Sequence, residues 1–153
     1  MADGRLAGIA RHDRPKGPME TLERVAVTVA EGVHGDFRGG LASTKPGRKR
    51  QVSLIEADSV IAAMAEAGAV LDWSDCRRNL LVTGLRLPRE EGTRVQIGDS
   101  LVLEITCECD PCERMDALHE GLRAAMTPDW RGGFLGRVIE DGQVAIGDPI
   151  RIL

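Results

Sequence analysis

The segment GTRVQIGDSLVLEI at residues 92–105 has an echo in GQVAIGDPIRIL at 142–153. In each, a glycine precedes a short run of alternating apolar and polar residues, an Ile-Gly-Asp turn and a second alternating run. Alternation sends successive side chains to opposite faces of a strand. Gly98 and Gly147 tolerate positive φ, and Asp99 and Asp148 can bond local backbone donors, so both segments predict antiparallel hairpins and a mostly β domain.

Moving outward, residues 22–29 (LERVAVTV) alternate after Val25 and lead into a long glycine-punctuated loop at 31–50, of a length that is either functional or mobile. The stretch QVSLIEADSVIAAMAEAG predicts a short strand near 51–54 and a helix from about 56 to 67, with Ala57, Val60, Ile61, Met64 and Ala67 on its apolar face and Gly68 as its stop. A second helix is expected where Met115, Leu118, Leu122 and Met126 fall three or four apart, with Pro128 beyond its end. A sheet of such hairpins avoids open edges most simply by closing or part-closing into a barrel flanked by the helices. The expected fold class is therefore α+β, mostly β. A doubly wound parallel sheet is disfavoured because strands and helices do not alternate and no glycine-rich nucleotide loop follows a strand.

The 153 residues suit one domain, since a chain of this length buries roughly 70% of its unfolded surface. The formal charge of −4, from 20 basic and 24 acidic residues, gives no general reason to bind nucleic acid or an anionic membrane. Aromatics are only 3% and tyrosine is absent, which argues against a stacking platform for single-stranded nucleic acid. The opening MADGRLAGIARHDRP shows no signal-peptide or lipidation pattern, and no run approaches the ~20 apolar residues of a membrane span, so a cytoplasmic protein is expected. Composition leaves the oligomeric state open.

EITCECDPCERM, residues 104–115, holds three of the four cysteines. A structural zinc site would take Cys107, Cys109 and Cys112 with Cys76, His119 or His34 as fourth ligand, but the usual second pair is missing. A disulfide fits poorly with cysteines two apart on one strand face in a reducing compartment. Cys107 and Cys109 therefore read as packing residues. Cys112 differs, because it follows Pro111 at the start of the expected helix, where unsatisfied N–H groups and Arg114 would favour a reactive thiolate.

Several segments together resemble the MOSC domain, the module named after the C-terminal part of molybdenum cofactor sulfurases. They are RRNLLVTGLRL (77–87), IGDSLVLEIT (97–106), DPCERM (110–115), RGGFLGRVIEDGQVAIGD (131–148) and, more loosely, GVHGDFRGG (32–40). They occur in the family's order and span about residues 6–153, so one MOSC domain over 1–153 is expected. The resemblance implies a barrel-like fold with flanking helices in a stand-alone form. It also implies binding of molybdenum cofactor (molybdopterin), or movement of sulfur towards it and other metal–sulfur centres. The family's cysteine falls on Cys112 through the Pro-Cys match, as a persulfide carrier or a molybdenum ligand. Cys107 and Cys109 lie outside that motif. Some relatives carry a pyridoxal-phosphate desulfurase domain; this chain has no room for one, so no pyridoxal phosphate is expected and sulfur must come from a separate donor such as a cysteine desulfurase. Other relatives are molybdenum enzymes that reduce N-hydroxylated compounds, which here would require a partner reductase because no iron–sulfur or flavin motif is present. A non-enzymatic zinc-stabilised module is the third reading.

Such a cofactor needs anion donors, amide-like partners for its pterin edge and a thiolate for the metal. Arg78 can grip phosphate and Asn79 can meet the pterin, although an Arg-Asn pair at a strand start also serves as salt bridge and turn cap. Arg131, Gly132 and Gly133 form an anion nest or, equally, a simple hairpin turn. His34 and Arg38 can close over a ligand, but an exposed polar loop is the favoured reading there. His12 and His119 are expected at the surface, and KPGRKR (45–50) as a solvated loop.

Overall fold

In a computed structural model describing residues 4–45 and 47–153, the alternating runs become strands of a sheet that closes on itself. The chain begins with β1 (Gly4–Arg11), β2 (Glu20–Thr21), β3 (Arg24–Thr28), β4 (Gly32–Val33) and helix α1 (Phe37–Ser43). Next come β5 (Val52–Glu56), α2 (Ala57–Ala67), a 3-10 turn (Trp73–Cys76), β6 (Leu80–Thr83), β7 (Arg94–Ile97) and β8 (Leu101–Glu108). Two short helices, α3 (Glu113–Leu118) and α4 (Leu122–Met126), and a 3-10 turn (Pro128–Trp130) lead to β9 (Phe134–Glu140), β10 (Gly142–Ala145) and β11 (Pro149–Ile152).

Seven strands form the barrel in the order β11-β7-β8-β9-β5-β6-β1, and pairing of β1 with β11 (Gly4↔Ile150) closes it. Closure removes the sheet edges that an open arrangement would expose. Strand β2 extends the far end of β1, and β10, β3 and β4 make a separate small sheet. The expected closed or part-closed barrel is thus a closed one. Alternation fills its interior with residues such as Leu6, Leu54, Leu80, Leu103, Ile105 and Phe134, all 0% exposed.

The echo resolves into two different structures. Residues 94–108 do form the β7–β8 hairpin, with Ile97↔Leu101 next to the turn. The second segment does not: β10 pairs with β3 (Gln143↔Ala26), while β11 pairs with β7 (Ile150↔Ile97) and β1. Its turn keeps its own bond, Asp148 N–H donating to Ala145 O at 3.1 Å, but its outward donors go elsewhere: Ile146 N–H to Glu23 O and Gly147 N–H to Leu6 O. The two Ile-Gly-Asp turns meet each other instead. Gly98 N–H donates to Pro149 O at 2.9 Å, and a Cβ on Gly98 would lie 2.8 Å from Asp148 Oδ2.

One connection does alternate strand and helix, against expectation. β5, α2 and β6 form a crossover whose strands run parallel, with Leu54↔Leu80 and Ile55↔Leu81. This pair is buried on both faces: Leu54 and Leu80 look into the barrel, while Ile55 and Leu81 look outward into a second core with Val60, Ala63, Leu122 and Met126. Helix α2 ends at Gly68 in the left-handed conformation, φ 69°, as expected. Of its expected face, Val60 is buried and Ala57, Met64 and Ala67 pack against the second core, with Ser59 and Ala63 also buried, whereas Ile61 is 66% exposed and lies off that face. The single expected helix across residues 115–126 is two, broken where Gly121 takes φ 87°. The long loop also contains α1, capped by Asp36 Oδ2 accepting from Gly39 N–H. Within the basic run 45–50, Pro46 lies outside the described residues. No helix among the described residues is long and apolar enough to cross a membrane.

The two cores make a direct prediction. Leu103→Ala, in the barrel interior, lowers unfolding free energy by about 2–5 kcal/mol, whereas Ile61→Ala changes it by no more than about 0.5 kcal/mol. Urea unfolding of both variants checks the assignment, and a large loss at Ile61 would put it back on the buried face.

Candidate functional site

Strand β1 ends at Arg11, and the next residue, His12, is fixed at both backbone ends. Its N–H donates to Asp36 Oδ1 at 3.2 Å, and its carbonyl accepts from Phe37 N–H at 2.8 Å. This joins the start of α1 to the end of β1, placing Arg38 beside His12. Across the parallel pair, Arg50 precedes β5 and Arg77-Arg78 precede β6. From the opposite side comes the turn after β8: Pro111 is buried, Cys112 is exposed as the N-terminal cap of α3, and Arg114 and Met115 follow.

These segments enclose a cavity of about 250 Å³. Its wall includes Cys112 and the guanidinium-bearing Arg38, Arg50, Arg77, Arg78 and Arg114, with Lys16, His12 and Cys76 completing the polar lining. Among the described residues, none of these five arginines has a carboxylate within ion-pair distance; the ion pairs involve other arginines or a histidine. The chain carries net negative charge, so this cationic cluster is a local concentration and not a reflection of composition. Burial lowers the guanidinium pKa of Arg50, with Cys109 acting oppositely and Arg38 and Arg78 adding to the fall. Burial likewise lowers that of Arg77, reinforced by Arg114 and Arg38. Both remain protonated. Lys16 and Arg77 are also two of the four non-glycine residues with positive φ among the described residues, at 57° and 64°. Such conformations cost about 1–3 kcal/mol each and collect at functional sites.

Arg78 is the deepest of the arginines, 5% exposed. Its Nε donates to Gly132 O at 2.8 Å and its Nη1 to Cys76 O at 2.7 Å. The Nη2 donors have no partner among the described residues. Cys76 is 1% exposed, and burial pushes its thiol pKa up while Arg78 pulls it down. His12 is 7% exposed with its Nδ1 unpartnered, 3.6 Å from Asp36 Oδ1. Burial holds its imidazole below the ordinary pKa of 6.5; Asp36 opposes this, and Arg77, Arg38 and Arg50 add to it.

The residues anticipated from sequence therefore separate. Cys112, Arg78, Arg114 and Arg38 come together on one cavity wall. Asn79 does not line it, because its carboxamide is spent on Ser53 and Ala10 O. Arg131 points elsewhere, donating to Glu66 and to Ala125 O. Gly133 N–H is taken by Trp130 O and Gly132 O by Arg78, so the pair acts as a backing for the pocket and not as an open nest. Their lack of side chains is required by close approach: a Cβ on Gly132 would sit 2.4 Å from Cys109 O, and one on Gly133, at φ 105°, 2.2 Å from Leu54 O. His34 is exposed beside Glu31 and away from the cavity wall.

His12 corrects a surface assignment, and Arg50 corrects the reading of its basic run as wholly solvated. The signal for His12 lay in the unrecognised alternation of β1; Arg77 stood beside Arg78, but nothing local marked Arg50 or Lys16. His119 is half-buried on α3's C-terminal side. Cys109 is buried at 3% just past the end of β8, and a register shift between Ile105 and Cys107 breaks the alternation that would have put both thiols on one face. Among the described residues no three His, Cys, Asp or Glu side chains converge on a metal position, so the zinc reading finds no ligand set there.

Two measurements test this construction. Gly133→Ala loses at least about 2 kcal/mol from backbone strain alone, read as a fall in Tm. For His12, the unfolded chain takes up a proton below pH 6.5 while the folded chain resists it, so stability falls as pH drops from about 6.5 through the lowered folded pKa. In His12→Gln this component is gone, and unfolding free energies of the two proteins converge between pH 7 and 5; an unchanged gap would show that the imidazole is not held neutral.

A family model of the MOSC domain matches residues 34–151. No curated protein matches the chain. Among solved structures it is similar to YuaD from Bacillus subtilis, with TM-score 0.76 and 18% identity over 99% of this chain and 98% of that one. It is also similar to YiiM from Geobacillus stearothermophilus, with TM-score 0.71 and 16% identity over 98% and 75%. YiiM from Escherichia coli aligns with TM-score 0.62 and 15% identity over 97% and 69%. At those identities the structures speak to the fold, which agrees with the barrel above. The family match covers most of the sequence, including the Pro111-Cys112 turn and all five pocket arginines, and the chain belongs to the MOSC domain family.

Proposed function

We propose that this MOSC domain is a sulfur carrier: Cys112 holds sulfur as a persulfide at the edge of an anion pocket and passes it to a molybdenum-cofactor-related acceptor. The observation that carries the reading is the exposed Cys112 sharing one cavity with five arginines that have no carboxylate partner among the described residues. A thiol at a pocket edge can meet a separate donor, while unpaired guanidinium groups can grip an anionic acceptor.

The chain's donors suit the anionic and metal-bearing parts of molybdenum cofactor. The free Nη2 of Arg78, with Arg38, Arg50, Arg77 and Arg114, would hold its phosphate, and Cys112 offers a soft ligand. When bound, the cofactor would supply a soft metal centre that accepts sulfur. The pterin edge is less well served, since Asn79 is engaged in the fold. Sites that enclose drug-sized ligands measure about 300–1,000 Å³, above the 250 Å³ of this cavity. That size favours carriage over the alternative in which Cys112 ligates molybdenum and an N-hydroxylated substrate must share the pocket with the cofactor.

In loading, the Cys112 thiolate attacks the outer sulfur of a donor enzyme's persulfide; a new S–S bond forms, the old one breaks, and the donor thiolate leaves with its electron pair. Arg78, braced by Gly132 O and Cys76 O, then orients the anionic acceptor towards Cys112. Incubation with a cysteine desulfurase and cysteine, followed by peptide mass spectrometry, tests the carrier role. One added sulfur atom on Cys112, lost in Cys112→Ser and kept in Cys107→Ser, is the expected result; sulfur on Cys107, or none at all, removes the proposal.

A further inference from the structure

The cationic cavity that would orient an anionic acceptor is equally able to hold a small anionic donor beside the same thiol. We infer that the pocket itself admits a small anionic sulfane-sulfur donor with a terminal sulfur on an oxidised sulfur, of the thiosulfate type, and that Cys112 takes sulfur directly from it. Thiosulfate is the smallest such compound. The inference rests on the carrier reading of Cys112 and adds the class of its donor.

Size is the first argument. A cavity of about 250 Å³ suits a compact oxyanion. Charge is the second: Arg38, Arg50, Arg77 and Arg114 ring it without carboxylate partners among the described residues. The third is unmet hydrogen bonding on the wall. Arg78, 5% exposed, has spent Nε and Nη1 on backbone carbonyls, while its Nη2 has no partner among the described residues. A free guanidinium donor facing the cavity makes a charge-assisted hydrogen bond, and a tetrahedral anion offers several acceptors at once. Fourth, the nucleophile is in place: Cys112 is exposed on the same wall.

The chemistry balances without another reagent. The Cys112 thiolate attacks the sulfane sulfur of S–SO₃²⁻, and a Cys112–S–S⁻ persulfide forms. The donor's S–S bond breaks, its electron pair staying on the departing sulfite, SO₃²⁻. Three negative charges enter and three leave. A thiolate and a dianion repel each other, so the step needs fixed positive charge around both. The guanidinium groups hold the sulfonate oxygens and stabilise the charge that gathers on sulfite as it leaves.

The test uses the full-length chain, reduced and freed of reductant, loaded in parallel with thiosulfate or with a cysteine desulfurase and cysteine. Added sulfur is mapped by mass spectrometry, and sulfite release is followed by colour reaction. Thiosulfate is expected to load Cys112 and release one sulfite per sulfur carried. Sulfate should compete, and Arg50→Gln should raise the half-saturating thiosulfate about tenfold, the loss of one charged hydrogen bond. Should Arg50→Gln fail to fold, sulfate competition on the unaltered chain decides the point. Loading by the desulfurase but not by thiosulfate overturns this inference and leaves the carrier role intact. Loading by neither overturns both. Loading by thiosulfate that ignores both sulfate and Arg50→Gln overturns the pocket as the donor site.

Discussion

The side chain of Asn79 holds three strand ends together, and the site depends on that junction. Its Oδ1 accepts from the N–H and hydroxyl of Ser53, and its Nδ2 donates to Ala10 O. Its own N–H meets Ser53 Oγ. Asn79 and Ser53 are 6% and 2% exposed, so any slip of register would strand these groups without water, at about 1–3 kcal/mol each. The three strands so joined, β1, β5 and β6, deliver His12, Arg50 and Arg77-Arg78 respectively. A carboxamide that never touches the cavity therefore determines where its charges stand.

Around that junction the protein treats its charges in two ways. Away from the pocket, arginines are neutralised: Arg89 lies over the Phe134 ring and pairs with the buried Glu56, and Arg86 forks onto Asp129. At the pocket they are left to repel one another, and Lys16 and Arg77 sit in unfavourable backbone conformations besides. Neither arrangement helps folding. Local conflict of this kind is expected where binding sets the requirement and the remaining structure supplies the stability.

Most strands and the α2 stop at Gly68 were readable because each depends on neighbours in sequence: alternation, turn glycines and a left-handed cap. The family's ordered motifs likewise pointed to the barrel and singled out Cys112. Pairing was harder to read. The two Ile-Gly-Asp segments look alike, yet only the first is a hairpin, because the second is captured by Glu23, Leu6 and β3, more than a hundred residues away in the chain. The α3–α4 break at Gly121 was hidden by an apolar spacing that suits two short helices as well as one.

The site divides along the same line. Arg78, Arg114 and Cys112 carry their meaning in short motifs, whereas Arg131, Gly132 and Gly133 resemble an anion nest in sequence although Glu66 engages the Arg131 guanidinium, Trp130 O the Gly133 N–H and Arg78 the Gly132 carbonyl. Sequence by itself determined most of the strands, the mostly β class and the distinct cysteine. Only tertiary structure decided that His12, Arg50 and Arg77 meet that cysteine, because barrel closure and a parallel crossover bring together residues whose local sequences contain no trace of one another.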